Sequence, residues 1–182
     1  VIIGAGPGGY PAAIRAAIRG ASVAIVEARD LGGVCLNRGC IPSKSLIASA
    51  AQYQNMKHAE DFGITLDCLP RYNWPAMKAR KDKVVNTMVT GIGQLFKSHG
   101  VKHYNGYGRI SGPNHVTVVD EKGNETKLKA DNVIIGTGSR PINIPAFPID
   151  GYRVLTSDHL LELDHLPKSI LIIGAGVIGC EW

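Results

Sequence analysis

The feature that most constrains this chain is Gly4-x-Gly6-x-x-Gly9, set directly behind the apolar run Val1-Ile2-Ile3. An apolar run that breaks into three glycines at this spacing and then into helix formers reads as strand, tight turn and helix. Gly4 permits the turn, Gly6 lets backbone approach a pyrophosphate, and Gly9 lets the helix pack closely on the strand. Residues 10–19 carry Ala and Ile on one face, and residues 23–26 form a second apolar run. This is the opening βαβ unit of a doubly wound α/β sheet. The start of such a helix offers N–H groups and partial positive charge to phosphates. Glu27 closes the second run, where a carboxylate accepts hydrogen bonds from ribose hydroxyls. In this context the motif points to a dinucleotide; the plain alternative is a tight strand–helix turn without a ligand.

The remaining pattern alternates helix and strand. Residues 40–56 read as a helix with Pro42 in its first turn, where a missing N–H does no harm. After a looser stretch to residue 75, residues 76–98 read as a long amphipathic helix. Its expected apolar stripe is Val84, Val85, Met88, Ile92, Leu95 and Phe96, weakened locally by Gly91 and Gly93. Residues 101–104 form a predicted strand. Residues 107–110, 115–119 and 126–128 form a predicted meander, punctuated by Gly112-Pro113-Asn114 and Lys122-Gly123-Asn124. A further strand over 133–135 runs into Gly136-Thr137-Gly138-Ser139. The Pro-rich stretch 140–148 reads as a boundary. Beyond it, Leu171-Ile172-Ile173-Gly174-Ala175-Gly176 echoes the opening of the chain and starts a second, truncated nucleotide-binding unit with a strand over 169–173. The expected division is residues 1–145 and 146–182.

Composition narrows the classes of function. The net charge of +5 draws on Lys78, Arg80, Lys81 and Lys83, which are expected on a solvated helix face. A nucleic-acid surface would need a broader basic stripe with aromatic partners, and a phosphate-rich cofactor is a better use for the charge. No apolar run approaches the roughly 20 residues of a membrane-spanning helix, and no signal peptide is visible. The chain opens inside a strand, so a preceding segment is expected to have been cut away. Four cysteines are too sparse for a secreted disulfide framework. The histidines are scattered singly, and no metal site is expected.

Cys35 and Cys40 stand five positions apart, with four residues between them, in Gly32-Gly33-Val34-Cys35-Leu36-Asn37-Arg38-Gly39-Cys40-Ile41-Pro42-Ser43-Lys44. The second cysteine falls at a predicted helix N-terminus, which favours a thiolate. On spacing alone the pair is a redox disulfide, two unrelated core thiols, or half of a zinc site. Zinc would need further ligands, and no second Cys or His pair stands at suitable spacing.

This segment resembles the redox-active site of the pyridine nucleotide–disulfide oxidoreductases. Leu36, Asn37, Ile41 and Ser43 make it most similar to the dihydrolipoamide dehydrogenases, as does Asn105-Gly106-Tyr107-Gly108-Arg109-Ile110. Residues 136–139 resemble the Ala-Thr-Gly-Ser turn that closes the flavin domain of the family, with Gly136 in place of Ala. The resemblance implies a Rossmann-like FAD-binding domain with a meander insertion. FAD would be held by Gly4, Gly6, Gly9, Glu27, Gly33, Gly108, Thr137, Gly138 and Ser139. Gly174, Gly176 and Gly179 would belong to an NAD-binding motif. Cys35 would be the interchange thiol that meets the substrate, and Cys40 the thiol against the flavin. Lys44 would sit beside the flavin, paired with Glu181.

The implied reaction is exchange of dihydrolipoamide with a Cys35–Cys40 disulfide, followed by electron transfer to FAD and a hydride to NAD. The dithiol would be free or carried on a lipoyl domain of a 2-oxoacid dehydrogenase complex. The full protein would be a homodimer in the cytoplasm, or in the mitochondrial matrix of a eukaryote. The family's base, a His–Glu pair from the partner subunit, has no counterpart among these histidines, so the 182-residue chain alone is expected not to turn over. The residue choosing NAD from NADP would fall about 20 residues past Gly179. Two alternatives stand beside this reading: an NADPH-dependent member like the glutathione and mercuric reductases, and a non-catalytic nucleotide-binding module.

Overall fold

The computed structural model describes residues 1–182, which fall into two compact units. The first comprises residues 1–37 and 85–140; the second comprises residues 38–84 and 141–182.

The first unit is built on a four-stranded parallel sheet in the spatial order Lys102–Asn105, Ala24–Glu27, Ile2–Ile3, Ile134–Ile135. The opening βαβ is present: β1 (Ile2–Ile3), α1 (Gly9–Ile18) and β2 (Ala24–Glu27). Ile2 pairs with Ile25 and Ile3 with Val26. These four side chains are buried, as near-continuous apolar strands of a parallel sheet must be. Each contributes about 1.5–3 kcal/mol, an upper range because the unfolded chain already buries some of that area. Helix α1 stops at Arg19 in a Schellman arrangement. Ala21 N–H reaches Ala16 O at 3.1 Å, Gly20 N–H reaches Ala17 O at 2.9 Å, and Gly20 takes φ +86°.

Strand β3 (Lys102–Asn105) joins β2 in parallel, with Ala24 opposite Lys102 and Glu27 opposite Asn105. Strand β7 (Ile134–Ile135) joins the other side of β1. Between them lies the expected meander, β4 (Tyr107–Gly112), β5 (His115–Val119) and β6 (Glu125–Lys129), antiparallel throughout with a bulge between Ile110 and Gly112. Its backbone comes close to the sheet at Gly108, where a Cβ would stand 3.0 Å from Ile3 and 3.2 Å from Val26.

The second unit is helical. It holds α3 (Cys40–Lys57), a 3₁₀ turn (Ala59–Phe62), α5 (Ser157–Leu161) and α6 (Val177–Glu181). It also holds the first part of α4 (Trp74–Ser98), the long helix predicted from periodicity. The buried face of α4 differs from the predicted stripe. Ile92 and Phe96 are buried, but Met88 and Leu95 are exposed, and the buried row continues back to Lys81. Lys81 therefore does not lie on a solvated face; its side chain is 2% exposed. Its ammonium donates to Leu161 O at 3.0 Å and contacts Glu162 Oε1 and Asp82 Oδ1, each at 2.9 Å. Burial works to lower its pKa, but the Asp82 and Glu162 carboxylates outweigh that and hold it above the ordinary lysine value.

Lys78 and Trp74 complete the contact from the same face of α4. Lys78 Nζ donates to Glu162 O at 2.7 Å, and the Trp74 indole N–H to Leu163 O at 2.9 Å. Three successive carbonyls at the end of α5 are thus satisfied by side chains rather than by helix, with two cations at the negative end of its dipole. No helix of the chain is long and apolar enough to cross a membrane.

The strand expected over 169–173 is not part of a sheet. Its residues are exposed, Leu171 most of all. A strand is defined by the ladder it pairs into, and no neighbouring strand lies beside this run.

Candidate functional site: a nucleotide-binding turn and a thiol–lysine helix

The Gly-rich turn of the first unit is built from backbone held at close quarters. Gly4 takes φ +102°, and its N–H donates to Val26 O at 2.7 Å. A Cβ on Gly4 would strike Gly136 O, and one on Gly9 would strike Gly4 O. Gly9 N–H and Tyr10 N–H both donate to Gly6 O, at 2.9 and 3.0 Å, which starts α1. Gly6 differs from Gly4 and Gly9: a Cβ there would meet nothing closer than 3.8 Å. Its missing side chain is therefore not required by the protein's own packing. An open glycine at the head of a helix is a cradle that fits a pyrophosphate.

Other predicted residues gather at this turn. Gly33 takes φ +62°, and a Cβ on it would stand 2.6 Å from Gly6 Cα. Gly32 N–H donates to Ala5 O at 2.9 Å. Gly136 N–H donates to Ile3 O at 2.8 Å, which brings Thr137 against Gly4. A Cβ at Gly136 would meet only ordinary contacts at 3.6–3.8 Å, so the glycine in place of Ala changes little. Gly138 takes φ +74° with open space around it, and Ser139 is exposed. Gly108 instead faces Ile3 and Val26 of the sheet.

Glu27 ends β2, as predicted, and does something the sequence did not suggest. Its Oε2 accepts from Ala5 N–H at 2.7 Å, and its Oε1 from Arg29 N–H at 2.9 Å. The carboxylate thus holds the Gly-rich turn from within. On β3, His103 packs near the Phe96 ring at 6.3 Å between centroids. Burial lowers its pKa, with the Glu27 charge opposing, so the imidazole is neutral at pH 7.

Cys35 lies within α2 (Gly33–Arg38), a six-residue helix that sequence patterning missed, and is half-buried. Cys40 is the first residue of α3 and is exposed; both are thiols in this structure. Ser43 Oγ donates to Cys40 O at 3.2 Å. One turn further along α3, Lys44 Nζ forms an ion pair with Glu181 Oε1, the pairing that the resemblance implies. Both side chains keep solvent contact, so the pair is worth no more than about 1 kcal/mol. No group of three or more His, Cys, Asp or Glu gathers as a metal site.

The second Gly-rich sequence repeats the first in geometry as well as in letters. Gly174 takes φ +112°. A Cβ on Gly179 would strike Gly174 O and stand 3.2 Å from Ile172 Cγ2. The matching Cβ on Gly9 would strike Gly4 O and stand 3.5 Å from Ile2 Cγ2. Cys180 N–H donates to Gly176 O at 3.0 Å, as Tyr10 N–H does to Gly6 O. The turn and helix start form here without a sheet beneath them.

Comparison with known proteins agrees with this geometry. A family model described as pyridine nucleotide-disulphide oxidoreductase matches residues 1–182. The chain is 45% identical to a dihydrolipoyl dehydrogenase of Bacillus subtilis over 190 residues, covering all of this chain and 40% of the relative. It is 44% identical to one from Acholeplasma laidlawii, covering all of this chain and 54% of the relative. The crystal structure of LpdA from Mycobacterium tuberculosis superposes with a TM-score of 0.89 at 29% identity, over 98% of this chain and 40% of that one. The chain therefore spans about 40–54% of the length of these relatives. On this evidence the chain belongs to the pyridine nucleotide–disulphide oxidoreductase family.

Proposed function

We propose that this chain is the flavin-binding portion of a dihydrolipoyl dehydrogenase, with residues 1–145 as the FAD domain and 146–182 leading into an NAD domain. The observation that carries the reading is the Gly4–Gly9 turn, closed by Glu27 and left open at Gly6, in a chain whose Cys40 heads the helix bearing Lys44. Gly6, open at the head of α1, would let the backbone approach a pyrophosphate, while Glu27 would accept from a ribose. Thr137, Gly138 and Ser139 extend the same backbone surface. FAD, when bound, supplies a two-electron acceptor between the dithiol and NAD.

In this reading the Cys35–Cys40 pair is a disulfide in the resting oxidised protein. A thiolate of dihydrolipoamide attacks Cys35, the Cys35–Cys40 bond breaks, and Cys40 leaves as thiolate. The second substrate thiol then displaces Cys35, so lipoamide is released oxidised and the protein holds a dithiol. Net, one dihydrolipoamide is oxidised and one NAD is reduced, with one proton released. Lys44, positioned by Glu181, places a positive charge beside the site where electrons arrive. The likeness in residues 35–44 to dihydrolipoyl dehydrogenases supports this substrate, and a lipoyl-domain carrier and a homodimer follow from it.

The test is the visible spectrum of the full-length protein with bound flavin, titrated with dihydrolipoamide. A long-wavelength band between flavin and thiolate should appear on reduction and be absent in Cys40→Ser, with NADH formed on adding NAD. A colourless protein that binds zinc through the two cysteines would overturn the reading. Reduction of NADP in preference to NAD would move the chain to the reductase branch of the family.

A further inference from the structure

One side chain of α4 reaches α3 at a buried residue. Arg80 Nη1 donates to Ser45 Oγ at 2.9 Å and to Ser45 O at 3.1 Å. Ser45 is buried and follows Lys44 directly on α3. Its carbonyl carries a second side-chain donor, Ser49 Oγ at 3.2 Å. Side-chain donors inserted at a mid-helix carbonyl bend and fix a helix locally. Here the held residue is Ser45, which directly follows Lys44 and ends the turn begun at Cys40.

The next residue of α4 holds a different segment. Lys81, with Lys78 and Trp74, secures Leu161, Glu162 and Leu163, which begin the stretch that ends at Glu181. Arg80 and Lys81 are consecutive and so leave α4 about 100° apart. One arm reaches the helix bearing Lys44, and the other holds residues 161–163, well before Glu181. The Lys44–Glu181 pair itself is solvent-accessible and weak, so it depends on how Lys44 is presented.

We propose that Arg80 is a positioning residue that, through Ser45, fixes the Cys40–Lys44 turn so that Lys44 meets Glu181. Arg suits this contact because the two N–H bonds of Nη1 are fixed in the guanidinium plane and meet hydroxyl and carbonyl together, whereas an ammonium on a shorter stem is not pre-set for both. The consequence for electron transfer rests on Lys44 lying beside the flavin; the positioning itself does not.

The experiment uses the full-length flavoprotein and two readouts. The first is the rate of Lys44 acylation by acetic anhydride, followed by mass spectrometry; the second is the flavin midpoint potential. Glu181→Gln defines the effect of losing the pair. Arg80→Met should raise Lys44 acylation at least two-fold toward the Glu181→Gln rate and shift the potential in the same direction. Ser45→Ala should do so to a smaller extent, and adding it to Arg80→Met should change nothing further. Arg80→Lys, which keeps the charge, should not restore the native rate. A lower Tm in Arg80→Met with unchanged Lys44 acylation would overturn the proposal, as would full rescue by Arg80→Lys. If Glu181→Gln and Arg80→Met both change acylation while neither moves the flavin potential, the positioning stands and the placement of Lys44 beside the flavin fails.

Discussion

Glu27 accepts two backbone hydrogen bonds in this structure, and replacing it tests what they contribute. Its two oxygens accept from Ala5 N–H and Arg29 N–H, the first partly buried and the second exposed. A hydrogen bond to a charged acceptor is worth about 1.5–3 kcal/mol, and the exposed one less because water replaces it. Glu27→Gln keeps one acceptor for Ala5 and loses mainly the exposed arm, so it should cost about 1 kcal/mol. Glu27→Leu loses both and leaves Ala5 N–H unpaired inside the turn, for a total near 3 kcal/mol. At about 2–4 °C per kcal/mol, the Leu variant should melt roughly 6–12 °C lower. These losses belong to the protein without FAD. If the same carboxylate also receives ribose hydroxyls, FAD affinity should fall a further ten-fold or more in Glu27→Leu, at about 1.4 kcal/mol per factor of ten. The assay is urea unfolding of full-length apoprotein beside FAD titration. An unchanged apoprotein midpoint in Glu27→Leu would refute the internal bonds. A Gln variant as damaged as the Leu variant would show that charge, not the count of acceptors, matters.

Two further expectations follow from backbone geometry. Gly6→Ala should leave the melting temperature within about 2 °C but weaken FAD binding, since the new methyl meets only the ligand side; Gly9→Ala should destabilise the apoprotein itself by driving a methyl into Gly4 O. Equal damage to the apoprotein from both would remove the argument for a pyrophosphate at Gly6. Asp150 accepts backbone N–H groups from Tyr152, Val154 and Arg153, which hold its carboxyl below the usual Asp range. Its contribution to the 150–154 turn should therefore be complete above about pH 3.9 and be lost only as pH falls through the lower, folded-state value. Amide signals of 152–154, followed by NMR from pH 6 to 2, check this; a midpoint at or above the free-Asp value would contradict it.

What could be read from the sequence was what short-range pattern carries. The opening βαβ, the meander and the long α4 stand close to where periodicity and turn residues put them. Helix α2 was missed because its six residues, Gly-Val-Cys-Leu-Asn-Arg, are too short to show a period. The buried face of α4 was misjudged because Lys81 is satisfied by Leu161 and Glu162, about eighty positions away, and no local window holds that information. The place of Glu27 at the end of β2 was legible, whereas its bond to Ala5 was not, because it joins residues 22 positions apart. The 169–173 run has the composition of a strand, but pairing is a property of neighbours, and composition supplies none.

The recurrence of one turn geometry at Gly4–Gly9 and Gly174–Gly179, with a sheet under the first alone, bears on the order in which the chain folds. The contacts common to both turns lie within some eight residues, so that part of the geometry is local, whereas Val26, Glu27 and Gly136 add distant contacts to the first. The sheet beneath it is of another kind: Val1 N–H reaches Asn132 O, 131 positions on. Closing a loop of that length costs about 3 kcal/mol more in chain entropy than closing one of six residues. The local contacts of the turn are thus the cheaper closure, and the pairing of β1 with β7 the costlier one. Substitutions inside the turn should slow folding, while those at the β1–β7 seam should mainly hasten unfolding.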